Sequence, residues 1–161
     1  MNQDELIKSL EDKHKQVFGI AVEVMSGGRV PNKAHSSDAG FDVFASEDFS
    51  IKPGGVVRHP MAIKFQIPHG AWLRIEGKSG LGSKGLLVHA GVVDRGYRGI
   101  TSVVMSHINT LDGEELFFKQ GDKIAQITVN PHNEEYFMYQ VDKVSNDTDR
   151  GSGGFGSTGS R

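Results

Sequence analysis

The chain has 161 residues, 37% hydrophobic and 24% charged, a composition that fits one soluble globular domain burying about 70% of its unfolded surface. Its formal net charge of −2 supplies no bulk attraction for duplex DNA or an anionic bilayer, so stable nucleic-acid or membrane binding is not expected and an anionic ligand must be held by local groups. The absence of cysteine excludes disulfides, thiolate metal sites and a cysteine nucleophile, and suits a reducing, cytoplasmic location.

At the N-terminus Leu6, Ile7, Leu10, Val17 and Phe18 recur at helical spacing, and Asn2 with Glu5 has the spacing of a capping box. Residues 1–19 are therefore expected to form a helical extension. The segment is acidic and amphipathic, without the basic and apolar regions of a signal peptide, and no later stretch is long enough to cross a bilayer. From Ile20 the period changes to two. Ile20, Val22 and Val24 alternate with other residues, as do Ala62, Ile63, Phe65 and Ile67, then Trp72, Leu73 and Ile75. The trend continues through Phe117, Ile124, Ala125, Ile127 and Val129 to Phe137, Tyr139 and Val141. Turns such as Pro53-Gly54-Gly55, Pro68-His69-Gly70 and Asp112-Gly113 separate these runs. Many short strands broken in this way predict an all-β sandwich or barrel over residues 20–144. The apolar pattern then stops, and residues 145–161, SNDTDRGSGGFGSTGSR, hold one aromatic among small and polar residues. They are expected to be a flexible C-terminal arm.

The 21 glycines are nearly twice the usual share of ~7%, and they cluster. Asp42, in AGFD, opens a strand just after a glycine; it suits either a turn carboxylate or a holder of hydrated Mg²⁺, which commonly keeps its waters. In GKSGLGSKG, Lys78, Ser79 and Gly80 combine exposed amides, a hydroxyl and a cation, the ingredients of an anion cradle, although the spacing is not that of a Walker A loop. In GVVDRGYRG, Gly91, Val92 and Val93 lead to Asp94 and then to Tyr97. A glycine-flanked hairpin lets a flat ligand approach backbone amides and carbonyls, with Asp94 placed to take a proton from water; an ordinary hairpin with a packed tyrosine fits the same residues. Gln126 lies on an otherwise apolar strand in GDKIAQ, and its alternation partners leave its facing open. In the tail, five glycines in ten residues cannot fold alone. Yet Arg150, Phe155, Gly156, Ser157 and Thr158 suit a lid that orders on a ligand, stacking a base and binding phosphates.

Five segments in this order, AGFD, KSGLGSKGL, GVVDRGYRG, GDKIAQ and RGSGGFGSTG, resemble the ordered motifs of the trimeric dUTPase family, from about residue 34 to 159. The resemblance implies a jelly-roll-like β subunit in a homotrimer. A neighbour's exchanged glycine-rich arm would close over each shared site. It implies hydrolysis of dUTP to dUMP and pyrophosphate, which limits uracil in DNA and supplies dUMP for dTMP synthesis. It places such an enzyme in the cytoplasm, or in the host cytoplasm for a viral chain. Carried onto these residues, Asp94 activates the attacking water. Residues 91–94 read uracil through their backbone, and Tyr97 packs on the deoxyribose and excludes a 2′-hydroxyl. Asp42 holds a water on Mg²⁺. Ser79, Gly80 and Gln126 bind phosphates, Phe155 stacks on uracil, and Arg150, Gly156, Ser157 and Thr158 contact the terminal phosphates. Lys78 stands where the family usually has arginine, keeping the charge but losing the planar fork. Two other readings fit less well. A dCTP deaminase, which shares the fold, carries a glutamate where this chain has Val104. A purely regulatory nucleotide-binding module has no need of the full set of catalytic residue types.

Overall fold

The computed structural model describes residues 3–110, 113–145 and 148. The N-terminal helix α1 spans Gln3–Phe18; Asn2 of the expected capping box lies outside the described residues. Leu6, Ile7, Leu10 and Phe18, part of its apolar stripe, remain 43–69% exposed. No helix among the described residues is long and apolar enough to cross a membrane.

The strands that follow pair antiparallel throughout the described residues. Strands β1 (Ala21–Val24) and β5 (Ile63–Gln66) form one pair, and β3 (Phe49–Ile51) and β10 (Leu116–Phe118) another. A three-stranded sheet runs β4-β9-β7, from Val56–Pro60 through Ser102–His107 to Leu86–His89. The four-stranded sheet that organises the site runs β2-β11-β6-β8, in residues Phe41–Phe44, Lys123–Pro131, Ala71–Glu76 and Val92–Val93. A single turn of helix, α2 (Ser79–Gly82), follows β6. The all-β class expected from the alternation is therefore observed.

The core follows from the same alternation. Ile63 and Phe65 of β5, Leu73 and Ile75 of β6, Val103 and Met105 of β9, and Ile124, Ala125 and Ile127 of β11 all face inward and are at most 5% exposed. Burying an aliphatic side chain of this kind contributes about 1.5–3 kcal/mol. Strand β9 was not legible as a strand, because one inward position is a histidine. His107 is 1% exposed, and its Nε2 pairs with the Glu114 carbonyl at 2.9 Å. A second buried imidazole, His59, accepts the Ser46 N–H at Nε2 (3.0 Å) and stacks on Phe49 at 4.1 Å between ring centres. The alternation of Phe137, Tyr139 and Val141 predicts a strand that is not present: those residues carry no strand assignment and are 80%, 75% and 47% exposed. Alternation supplies one apolar face, but a strand also requires a neighbouring backbone to complete its hydrogen bonds.

Candidate active site

The centre of the site is a polar row across the four-stranded sheet. Gln126 of β11 lies directly opposite Asp42 of β2 on one side and Glu76 of β6 on the other. Directly opposed residues of antiparallel strands point to the same face, so the three polar side chains stand together. The flanking set Phe41, Ile127 and Ile75 takes the apolar face. This resolves the facing of Gln126, which the sequence left open. The register between β2 and β11 slips between Lys123 and Ala125. The bulge puts two consecutive residues, Ile124 and Ala125, into the core, and the period of two is lost there. Gly40 leaves room for the Gln126 amide at the entrance: a Cβ there would lie 2.6 Å from Gln126 Oε1 and push that amide aside. The Gln126 amide donates to the Gly77 carbonyl at 2.9 Å.

Asp42 sits in this row as a counter-ion. Its carboxylate accepts Lys78 Nζ on one oxygen at 2.5 Å and Lys123 Nζ on the other at 2.6 Å. Burial raises its pKa, but the two ammonium groups outweigh that and hold it below the ordinary aspartate value. Lys123 was not singled out by the sequence reading, although it lies in the GDKIAQ segment. A carboxylate has about four lone-pair positions, so two remain on Asp42 for water. No group of three or more His, Asp or Glu that could hold a metal occurs among the described residues. Asp42 and Glu76 are the carboxylates of this row, and a hard cation held mainly by phosphate oxygens and water needs only one or two such groups. Lys78, Ser79, Gly80, Leu81, Lys84 and Gln126 line a pocket of about 350 Å³ next to this row. The residues of the second glycine cluster thus line one pocket, with Lys84 as an additional cation.

The third cluster does not form the expected hairpin, because among the described residues β8 pairs with β6 and with neither of its neighbours in sequence; it is a short edge strand laid against β6. Val93 pairs with Leu73 and Val92 with Arg74, and the Ile75 N–H donates to the Gly91 carbonyl at 2.8 Å. Gly91 cannot carry a side chain, since its Cβ would collide with the Ile75 carbonyl oxygen. Ala90, just before it, has φ of +46°, a strained backbone for an L residue of the kind that gathers at functional sites; alanine gives no sequence signal for it. Asp94 follows β8, exposed, in a turn closed by the Tyr97 N–H to its carbonyl (3.0 Å). Val92, Val93, Asp94, Tyr97, Ile100 and Thr101 line one side of a cleft of about 220 Å³. Tyr97 folds back over Gly99 and its hydroxyl donates to the Ile100 carbonyl at 3.0 Å.

The structure thus brings Asp42, Lys78, Ser79, Gly80 and Gln126 together at one end of β6. Gly91, Val92 and Val93 run back along β6 beside Ile75, Arg74 and Leu73, with Asp94 and Tyr97 in the turn beyond. The structure does not bring the two groups into one pocket within this subunit. Arg150, Phe155, Gly156, Ser157 and Thr158 lie outside the described residues.

Comparison with known proteins matches the dUTPase family pattern to residues 27–159. The chain is 37% identical over 133 residues to the deoxyuridine 5′-triphosphate nucleotidohydrolase of Candida glabrata, covering 82% of this chain and 90% of that one. It is 36% identical over 148 residues to the nucleotidohydrolase of the same name from Alkaliphilus metalliredigens, covering 89% and 99%. In fold it is similar to the dUTPase of Staphylococcus bacteriophage 80alpha with dUPNHPP, with a TM-score of 0.77, 24% identity and coverage of 87% and 98%. With the pattern spanning most of the chain and such identity over nearly the full length of two relatives, this chain belongs to the dUTPase family.

Proposed function

We propose that the protein hydrolyses dUTP to dUMP and pyrophosphate, with Asp94 as the general base for the water that attacks the α-phosphorus. The observation that carries this reading is Asp94 at the end of the edge strand β8, where a tight turn begins. It stands beside a cleft walled by Val92, Val93 and Tyr97, in a chain of the dUTPase family. The strained corner at Ala90 and the segment of residues 91–94 offer backbone amides and carbonyls to the edge of uracil. Tyr97, pinned by its hydroxyl to the Ile100 carbonyl, offers a ring face against which a deoxyribose packs and a 2′-hydroxyl collides. Exclusion of the larger sugar is therefore steric.

Phosphoryl substitution depends on alignment and on neutralising charge. Lys78, Ser79, Gly80 and Gln126 bind phosphate oxygens. Asp42 keeps Lys78 and Lys123 in place, and its remaining lone pairs would hold a water of the metal. Bound Mg²⁺ would supply charge neutralisation and orientation of the triphosphate. Arg150, Phe155, Gly156, Ser157 and Thr158 of the glycine-rich arm close the site, with Phe155 over the base and the others on the terminal phosphates. The working unit is a homotrimer, in which the Asp94 turn of one subunit meets the cradle of its neighbour. The reaction removes dUTP from the polymerase substrate pool and yields dUMP for methylation to dTMP, in the cytoplasm of the cell that contains it. Val104, where a deaminase would need a carboxylate, presents an apolar side chain to the Asp94 cleft, which favours hydrolysis over deamination.

Pyrophosphate release from dUTP, dTTP, dCTP and UTP, with and without Mg²⁺, tests the reading. Rapid Mg²⁺-dependent release from dUTP alone is expected. Ammonia release from dCTP, or an intact dUTP pool, would refute it.

A further inference from the structure

On the far side of the Asp94 turn lies a second cleft, of about 440 Å³, lined among others by Trp72, Asp94, Arg95, His132 and Glu134. No motif assigns it a role. Its centre is an ion-pair cluster. Arg95 Nε donates to Glu134 Oε1 at 2.7 Å and its terminal nitrogen to Oε2 at 3.2 Å, so the guanidinium grips the carboxylate with both prongs. His69 Nε2 is 3.1 Å from the same carboxylate. Arg95 lies next to Asp94. Its own carbonyl accepts a hydrogen bond from Arg98 at 2.6 Å, which ties the two halves of the 94–98 turn together. Glu134 lies just beyond β11, where the His132 N–H donates to the Gly70 carbonyl at 2.8 Å. It is therefore at the head of the segment that leads toward the C-terminus. Past Glu134, residues 136–139 are 75–102% exposed.

We propose that Arg95 is a positioning residue: by gripping Glu134 it locks the turn that carries Asp94 to the head of the C-terminal segment. The geometry of the carboxylate then depends on where that segment is held. A lone exposed ion pair contributes little. This one differs in being two-pronged, in having a third partner in His69, and in joining two loops that share no strand ladder. The hydrogen bonds from the Arg95 guanidinium, with burial opposing, hold the Glu134 carboxyl below the ordinary glutamate range. Displacing a general base alters the chemical step more than substrate binding. The latch should therefore register in kcat and leave KM nearly unchanged. The inference rests on the reading of Asp94 as the base for dUTP.

The test compares wild type with Glu134→Gln, Arg95→Lys and the exchanged pair Arg95→Glu/Glu134→Arg. Two measurements are made: steady-state pyrophosphate release from dUTP, and amide hydrogen exchange across residues 94–98. Each single variant should lower kcat about fivefold, the scale of one exposed ion pair at the upper end of its range, with KM within twofold. It should also speed exchange in the turn, and the exchanged pair should restore both. Single variants with wild-type kcat and wild-type exchange would overturn the latch. So would an exchanged pair no better than the singles. Loss of protection in the singles, restored in the exchanged pair of a protein that leaves dUTP intact, would keep the latch and sink the functional reading instead.

Discussion

Replacing Gly99 with alanine should disable sugar discrimination while leaving the fold intact. A Cβ built on Gly99 falls 2.6 Å from Tyr97 Cζ and 2.9 Å from Cε2, and nearer still to the hydroxyl oxygen. Ordinary contact between such atoms begins near 3.5 Å, so the ring must retreat by about 1 Å. Tyr97 is 44% exposed and can do so. Gly99 does not have a positive φ, so alanine strains no backbone. The stability cost is then the tyrosine hydrogen bond to Ile100, about 0.5–1.5 kcal/mol. The functional cost is larger, because a displacement of about 1 Å at a positioning group can cost up to ~10²-fold. The assay is kcat/KM for dUTP and for UTP on wild type and Gly99→Ala, with thermal unfolding alongside. The expected result is a fall of about tenfold or more for dUTP, a smaller change for UTP, and a midpoint lowered by only a few degrees. A variant with a displaced tyrosine and an unchanged dUTP/UTP ratio would refute the role given to Tyr97.

Asp94→Asn should lower kcat by roughly 10²–10⁴, the range for a lost general base, at unchanged thermal stability because the side chain is exposed; near-normal turnover in a pyrophosphate assay would remove its role. Deleting residues 147–161 should leave the far-ultraviolet spectrum of the β core while abolishing most dUTP turnover, and an unfolded product would make the arm a structural element. Burial lowers the His59 pKa, with Glu47 opposing, so the unfolded chain binds that proton more readily than the folded one. The stability gained from neutral His59 is therefore complete above its unfolded pKa of about 6.5 and is lost as pH falls toward the lower folded value. Melting midpoints should decline as pH drops below about 6.5, and His59→Gln, which keeps an acceptor for the Ser46 amide, should flatten that slope.

The parts of the molecule legible in the sequence are those written in short-range pattern. The alternation in β5, β6 and β11 named the inward residues of those three strands. The glycine clusters marked the Lys78 cradle and the Asp94 turn, because close backbone approach and tight turns demand glycine locally. What escaped depends on partners distant in the chain. Asp42 meets Lys78 and Lys123 only once β2 and β6 flank β11. The facing of Gln126 turns on a bulge that no alternation count anticipates. The Arg95–Glu134 pair spans two loops whose charges look like ordinary solvated surface. Ala90 hides its positive φ because alanine carries no turn signal. The alternation at residues 137–141 misled in the opposite direction, since a strand is a property of two backbones and the sequence displays only one.

The division of the site along β6 has a consequence that a mixing experiment can measure. Gln126 opposes Glu76 and Val93, the residue before Asp94, opposes Leu73, so Val93 is offset from Gln126 by three residues of β6, about 10 Å at ~3.4 Å per residue. Asp94 and Ser79 then lie further out in opposite directions. A water activated by Asp94 must attack an α-phosphorus whose neighbouring phosphates, a few ångströms away, rest in the cradle. On the proposed reading one chain does not meet both demands, and the Asp94 turn of one subunit works with the cradle of another. Subunits carrying Asp94→Asn and subunits carrying Lys78→Ala should each be nearly inactive alone. Unfolded together in equal amounts and refolded, they should form mixed assemblies. A site is intact when its Asp94 turn comes from a Lys78→Ala chain and its cradle from an Asp94→Asn chain, which random symmetric assembly supplies in about one quarter of sites. Recovery of roughly a quarter of wild-type turnover after co-refolding is the expected outcome. If both halves belonged to one chain, no mixture would contain an intact site and activity would stay at the level of the separate variants.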